Sequence, residues 1–317
     1  MKICFRFEIF KIKFANKNRS KQNLNKTPKN QVMRFISKKL ILLLAAVIVV
    51  LNASADTYLK RELRGAWMTT FLSLDWPSVG VGVSSSMITS QKNEAIDYLN
   101  QLEKAHINAV YLQVRPCSDA FYKSSYEPWS SYLTGSRGAD PGWDPLEFWV
   151  EEAHKRGIEL HAWVNPYRFA TAKTGLWNST NQDKAINNKG WLLEYNGTYI
   201  LNPGLSDVTN YICDIIGEIV TKYDVDGVIF DDYFYPNKIP QTSAANDWNL
   251  FQSSGWSSIG NWRRNNVNQM INAVNTRIKS IKPYCSFGVS PAGIACTSSS
   301  VASGHGVARC TVGSDWQ

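Results

Sequence analysis

The sequence is poor in the residues that hold metals, cofactors and disulfides. Its four histidines, His106, His154, His161 and His305, share no ligand spacing, so no metal is expected. Of its six cysteines, five follow residue 55: Cys117, Cys213, Cys285, Cys296 and Cys310. An odd set without close, regular spacing argues against a disulfide framework or a zinc site. Cys296 and Cys310 are near enough to pair in the last loop, but free buried thiols are the expectation for most of the five. Gly80-Val81-Gly82 lacks the strand-to-helix setting of a dinucleotide loop, and there is no G-x-S-x-G elbow. These absences argue against nucleotide cofactors and serine hydrolysis, and no cofactor is expected.

A lasting excess of positive charge is also missing, despite a formal +8. Residues 1–55 hold 12 of the 34 Lys and Arg but a single acid, Glu8. The 22 basic and 25 acidic residues that follow leave that part slightly acidic, at about −3, so no nucleic-acid partner is expected. The basic cluster Arg34, Lys38 and Lys39, the apolar run 40–51 and Ala53-Ser54-Ala55 read as a signal peptide over 33–55, with residues 1–32 an over-extended gene start. Twelve apolar residues are too few for a stable bilayer span, so no membrane anchor is expected after cleavage and the mature chain should be periplasmic or secreted.

From residue 64 onward one unit recurs: a short apolar strand, a polar or aromatic loop, an amphipathic helix. Strands are predicted at 64–70, 109–115, 159–165, 227–231 and 286–290, and helices near 91–105, 145–156, 206–223 and 260–281. Asp144 before Pro145 reads as an N-cap with proline at the first helical position, and Gly157 as a stop. Val208, Ile212, Ile215, Ile216, Ile219 and Val220 recur at helical spacing. Such alternation implies an α/β fold with a parallel sheet. The expectation is a (β/α)8 TIM barrel truncated after about five strands, over 56–317.

In a barrel, alternate side chains of each strand face the helices and the axis. Strand two splits into Val110, Leu112, Val114 and Tyr111, Gln113, Arg115; strand three into Leu160, Ala162, Val164 and His161, Trp163, Asn165. The second set turns polar toward the C-terminal end, where active sites of such barrels lie. Arg115, Asn165 and Ser290 should converge there, with Asp119, Tyr167 and Arg168 on the loops above. The run DGVIFDDYFYP, 226–236, ends a strand in two acids. Two acids there serve equally to cap a loop, to pair with Arg115 or Arg168, or to supply the carboxylates that glycosidic cleavage requires. Parity favours Asp231 facing the axis and Asp232 flanking it. Aromatics make up 12% of the chain, and many fall in the expected mouth loops, among them Tyr126, Trp129, Tyr132, Tyr167, Tyr233 and Tyr235. Such faces stack on sugar rings, although about half should only pack the loops. His161 reads as a satisfied core histidine and His154 as structural.

Four segments, QVRPCSDAFYKSSYEPWSSYLTG, DPLEFWVEEAHKRGIELHAWVNPYR, YDVDGVIFDDYFYP and FGVSPAGI, resemble glycosyl-hydrolase-like family 10 over nearly all of the chain from Leu63. The resemblance implies an exported (β/α)8 barrel that hydrolyses envelope carbohydrate; one relative digests peptidoglycan glycan strands stripped of their peptides. By position it marks Arg115, Asp119, Asn165, Tyr167, Arg168, Asp231, Asp232, Tyr233 and Ser290 as site-lining. Two positions depart from the family pattern: Ile229, where a polar residue, commonly His, is usual, and Ala292, where a larger residue is usual. Family members also continue beyond a D-W motif like Asp315-Trp316, so strands six to eight are expected to be missing here. The expected function is hydrolysis of peptidoglycan glycan or a related amino-sugar polysaccharide, with Asp231 and then Asp232 as catalytic carboxylates. The alternative is a glycan-binding barrel without chemistry, to which Ile229 points.

Overall fold

A computed structural model describes residues 62–170, 179–231, 234–236 and 238–290, and the backbone of Ile294–Cys296 and Ala308–Arg309. The expected signal peptide, the Cys296 and Cys310 side chains, Ala292 and Asp315-Trp316 lie outside the described residues.

Five parallel strands form one sheet in sequential order: β1 (Gly65–Met68), β2 (Ala109–Arg115), β3 (Glu159–Val164), β7 (Gly227–Phe230) and β8 (Ser286–Val289). They coincide with the five expected strands, and each follows its neighbour as in a TIM barrel. Among the described residues β1 and β8 remain edges, so the barrel is not closed. The helices that cross between them are α1 (Ser85–Lys104), α3 (Pro145–His154), α5 (Ser206–Lys222) and α7 (Ile259–Ile281).

Local signals set the helix ends. Ser84 caps α1 through the Met87 amide, and Asp144 Oδ1 caps α3 by accepting from Leu146 and Glu147, with Pro145 at the first position. After α3 the chain reverses at Gly157, where φ is +67°, a conformation that glycine adopts without a Cβ clash. Each helix buries one stripe: Gln91, Ala95 and Leu99 on α1, Val208 to Val220 at helical spacing on α5, and Met270, Val274 and Ile278 on α7.

The sheet meets those stripes with Val110, Leu112, Val114, Leu160, Ala162, Val164, Val228 and Phe230, each at most 1% exposed. The opposite, axis-facing side carries Trp67, Tyr111, His161 and Trp163: the Trp67 ring lies 4.8 Å from Tyr111 and 4.9 Å from Trp163, and Tyr111 lies 5.1 Å from His161. His161 is buried there, and its Nε2 pairs with Glu159 at 3.0 Å. At the N-terminal end of β7, Asp226 Oδ2 accepts from the Leu160 amide and meets His154 Nε2, both at 2.8 Å. His154 thus fastens the end of α3 to the strand ends, a structural role.

Two additions interrupt the repeat. A second sheet of β4 (Arg168–Ala170), β6 (Thr198–Leu201) and β5 (Leu192–Tyr195), antiparallel in that order, fills the connection from β3 to α5. Its β5–β6 hairpin turns at Asn196-Gly197, both at positive φ, as the twist of a two-residue hairpin turn demands. Helix α4 (Asn181–Asn188) precedes it, started by a reciprocal Thr180–Asp183 capping box. Short α2 (Ser131–Thr134) sits in the loop after β2, and α6 (Trp248–Ser253) in the loop after β7. Near α6 a fully buried Arg263–Asp247 pair holds a small cluster of Phe251, Ile259 and Trp262.

β7 approaches β3 closely because Gly227 has no side chain: a Cβ there would stand 2.2 Å from His161 Nδ1. Gly227→Ala is expected to cost about 1–3 kcal/mol by overpacking. In an His161→Ala background the same substitution should cost markedly less, measured by urea unfolding of the four chains of the cycle.

Candidate active site

The C-terminal strand ends bring a polar network together on the axis side. Gln113, near the end of β2, accepts at Oε1 from Thr69 Oγ1 (2.7 Å) and from the Thr70 and Phe71 amides (both 2.9 Å). Its Nε2 donates to Asn165 Oδ1 at 2.7 Å, and Asn165 Nδ2 donates to Asp231 Oδ2 at 3.3 Å. Four strand ends are thereby joined, from β1 through β2 and β3 to β7. Asp231 continues the alternation of Ile229 toward the axis, as its bond with Asn165 requires, and it is only partly buried. Ser290 follows β8 at the same level, where its amide donates to Phe230 O at 2.8 Å.

Arg115, two residues beyond Gln113 at the end of β2, is 1% exposed. Nε and Nη2 grip both oxygens of Glu127 at 2.8 and 2.6 Å, Nη1 donates to the Asn165 and Pro166 carbonyls, and Nη2 also reaches Ser118 Oγ. All five of its N–H donors are used within the protein. Arg115 was expected to position a sugar, and the geometry places it instead in the frame that holds Asn165. Burial opposes its charge, but Glu127 reverses that and holds its pKa above the ordinary arginine value.

Asp119 is likewise buried. Its Oδ1 accepts from the Cys117 amide, and Oδ2 lies 3.2 Å from Arg137 Nη1. Burial raises its pKa, and Arg137 offsets this only in part. Arg137 also clasps Asp183 at 2.8 Å and donates to Ser118 O at 2.7 Å, tying the loop after β2 to α4. For Asp183 burial works against the charge too, yet the Arg137 bonds outweigh it and its pKa falls.

Two expected stacking residues also prove to be packing residues. Tyr167 is fully buried edge-on to Phe234, and burial pushes its hydroxyl well above its ordinary pKa. Tyr235, 1% exposed, lies under the Arg263 guanidinium and accepts from Asn266 at 3.4 Å. Neither presents a ring face for a sugar. Arg168 remains half-buried, with its guanidinium over Phe71 at 5.0 Å, and Phe71 in turn meets Tyr132 edge-on. Asp232 and Tyr233 lie outside the described residues. Gln113, Glu127, Arg137 and Asp183 were not foreseen as members of this network. Gln113 was legible in principle, as the polar residue between Tyr111 and Arg115 on the axis-facing parity.

Among the described residues no group of three or more His, Cys, Asp or Glu is arranged to hold a metal ion. A surface hollow of ≈ 410 Å3 along α1, lined by Glu94, Asp97, Tyr98 and neighbours, includes none of the strand-end residues.

The family model for Glycosyl hydrolase-like 10 matches residues 62–316, and the chain belongs to that family. It is 39% identical over 271 residues to Glycosyl hydrolase YngK of Bacillus subtilis (strain 168), covering 85% of this chain and 52% of that protein. It is 42% identical over 248 residues to Glycosyl hydrolase DigH of Escherichia coli (strain K12), covering 74% and 56% respectively. The chain thus spans about half the length of these curated relatives. Among solved structures, alpha-L-fucosidase isoenzyme 2 from Paenibacillus thiaminolyticus superposes with a TM-score of 0.50 at 17% identity, over 74% of this chain and 33% of that one, a likeness of fold.

Two outcomes test the frame. Glu127→Gln leaves the buried Arg115 without its counter-charge and should destabilise the chain by about 3–5 kcal/mol in urea unfolding. Asp183 has a lowered pKa in the folded chain, so it stabilises above the unfolded value of about 4 and loses that effect as pH falls through the folded value. Asp183→Asn should therefore lower stability at neutral pH and flatten its decline as pH falls below about 4, followed by thermal unfolding against pH.

Proposed function

We propose that this chain carries the catalytic face of a glycoside hydrolase that cuts the glycan strands of peptidoglycan or a related amino-sugar polymer. The observation that carries the reading is Asp231: a carboxylate at the end of a central strand, partly open, and hydrogen-bonded by the buried Asn165. Membership of a glycosyl hydrolase-like family supports the reaction class. Hydrolysis of a glycoside needs one carboxyl group to protonate the leaving oxygen and a second to act as base or nucleophile at the anomeric carbon. Asp231 supplies one of them. Asp232 is the second proposed catalytic residue.

Ser290, Arg168 and Tyr233 are further proposed contacts with sugar hydroxyls, and Phe71 and Tyr132 add ring surface beside Arg168. The targeting pattern at 33–55 supports export to the envelope, where such a polysaccharide is met. No cofactor enters the proposed chemistry.

A second reading, a glycan-binding protein without turnover, is favoured by one observation. Ile229, two residues before Asp231 on the same face, is apolar and packs toward Gly288, so it offers Asp231 no polar relay.

The two readings separate in one assay. Peptide-free glycan strands are incubated with the chain and with Asp231→Asn and Asp232→Asn, and products are followed by mass spectrometry. Turnover that falls at least about 1000-fold in Asp231→Asn supports the enzyme, on the scale expected for losing a catalytic carboxylate. Unchanged turnover in both variants overturns the assignment, and retention of strands without any product supports the binding protein.

A further inference from the structure

We infer that Gln113 is the positioning residue for Asp231, acting through Asn165 by fixing which way the Asn165 amide faces. The inference rests on the reading of Asp231 as a catalytic carboxylate.

The direction of the amide chain is forced from its far end. Backbone amides only donate, and those of Thr70 and Phe71 both end on one atom of the Gln113 side chain, 2.9 Å away. That atom is therefore the oxygen, and Thr69 Oγ1 joins it at 2.7 Å. The nitrogen of Gln113 must then face Asn165, whose nearer atom, at 2.7 Å, must be its oxygen. Asn165 is left with its Nδ2 toward Asp231 Oδ2. Gln113 and Asn165 are each 1% exposed, so water does not compete for either amide.

The backbone of Asn165 is fixed by a separate route. Its carbonyl accepts from Arg115 Nη1, and its amide donates to the Arg115 carbonyl at 3.0 Å. Arg115 thus sets where Asn165 is, and Gln113 sets how its amide faces. A carboxylate turned away from its reacting atom loses near-attack geometry, which is why orientation bears on turnover more than on binding.

Gln113→Glu isolates this role. It keeps an oxygen for the Thr69, Thr70 and Phe71 donors but removes the donor to Asn165, whose amide would turn and present oxygen to Asp231. Turnover of glycan strands should fall about 10–100-fold with KM changed less than about threefold. Hydrogen exchange of the Asn165 side-chain NH2, read by 15N NMR, should be slow in the unsubstituted chain, and the NOE from that NH2 to the Asp231 methylene should be lost in Gln113→Glu, where the NH2 turns to the new carboxylate. The measurement on the unsubstituted chain needs no variant to fold: an Asn165 NH2 exchanging at the rate of a free amide overturns the inference. So does that NOE retained in Gln113→Glu, whatever the turnover. If Asp231→Asn stops turnover while Gln113→Glu leaves kcat unchanged, the positioning role falls and the reading of Asp231 stands. If Asp231→Asn is fully active, that reading falls, and the inference with it.

Discussion

The arrangement of the mouth depends on one buried guanidinium. Arg115 lies buried at the end of β2, and a charge out of water is tolerated only when every donor is met. Glu127 neutralises it from the loop after β2, and the Asn165 and Pro166 carbonyls complete its shell from the exit of β3. The loop and the neighbouring strand end are therefore locked to β2 together. Ser118 extends the lock, donating to the Arg168 carbonyl while it accepts from Arg115. The clamp acts beside the β4–β6 pairing, where the Leu201 amide donates to the Tyr167 carbonyl at 2.8 Å.

Around that clamp the site divides into two shells. The outer shell holds its charges in closed pairs: Arg115 with Glu127, Arg137 with Asp119 and Asp183, Arg263 with Asp247. The inner line from Gln113 through Asn165 to Asp231 is made of neutral amides until its last member. Neutral amides transmit direction without adding a net charge beside the carboxylate, whereas a charged relay would compete with the sugar for it.

Much of the fold was legible because strand and helix signals repeat. The split of Val110 and Leu112 from Tyr111 and Gln113 appears in the structure, as does the Asp144-Pro145 helix start, although the pairing of β2 with β3 shifts register between Gln113 and Arg115. The β4–β6–β5 sheet was missed, although its Asn196-Gly197 turn stands between two short alternating runs, a known hairpin signature. The site was less legible, for a physical reason. Parity gives the face of a strand on which a residue lies, but not whether its polar group ends in solvent or in a partner. Arg115 and Asn165 share a parity, yet Arg115 is consumed by Glu127, twelve residues away in a loop that periodicity cannot place. Tyr167 and Tyr235 read as mouth aromatics from their loops, but their loops fold inward, so their rings became core.

Asp226 and Asp231 mark the two ends of one strand. The first fastens helix α3 and β3 at the bottom of the sheet; the second carries the proposed chemistry at the top. An extended chain rises about 3.3 Å per residue, which puts roughly 16 Å between them. Groups so far apart without shared partners contribute independently. The scaffold is accordingly modular along its own strand direction. Lineages or designers are at liberty to harden the lower rim for heat or protease resistance while the upper rim diversifies toward new polysaccharides, with little epistasis between the two.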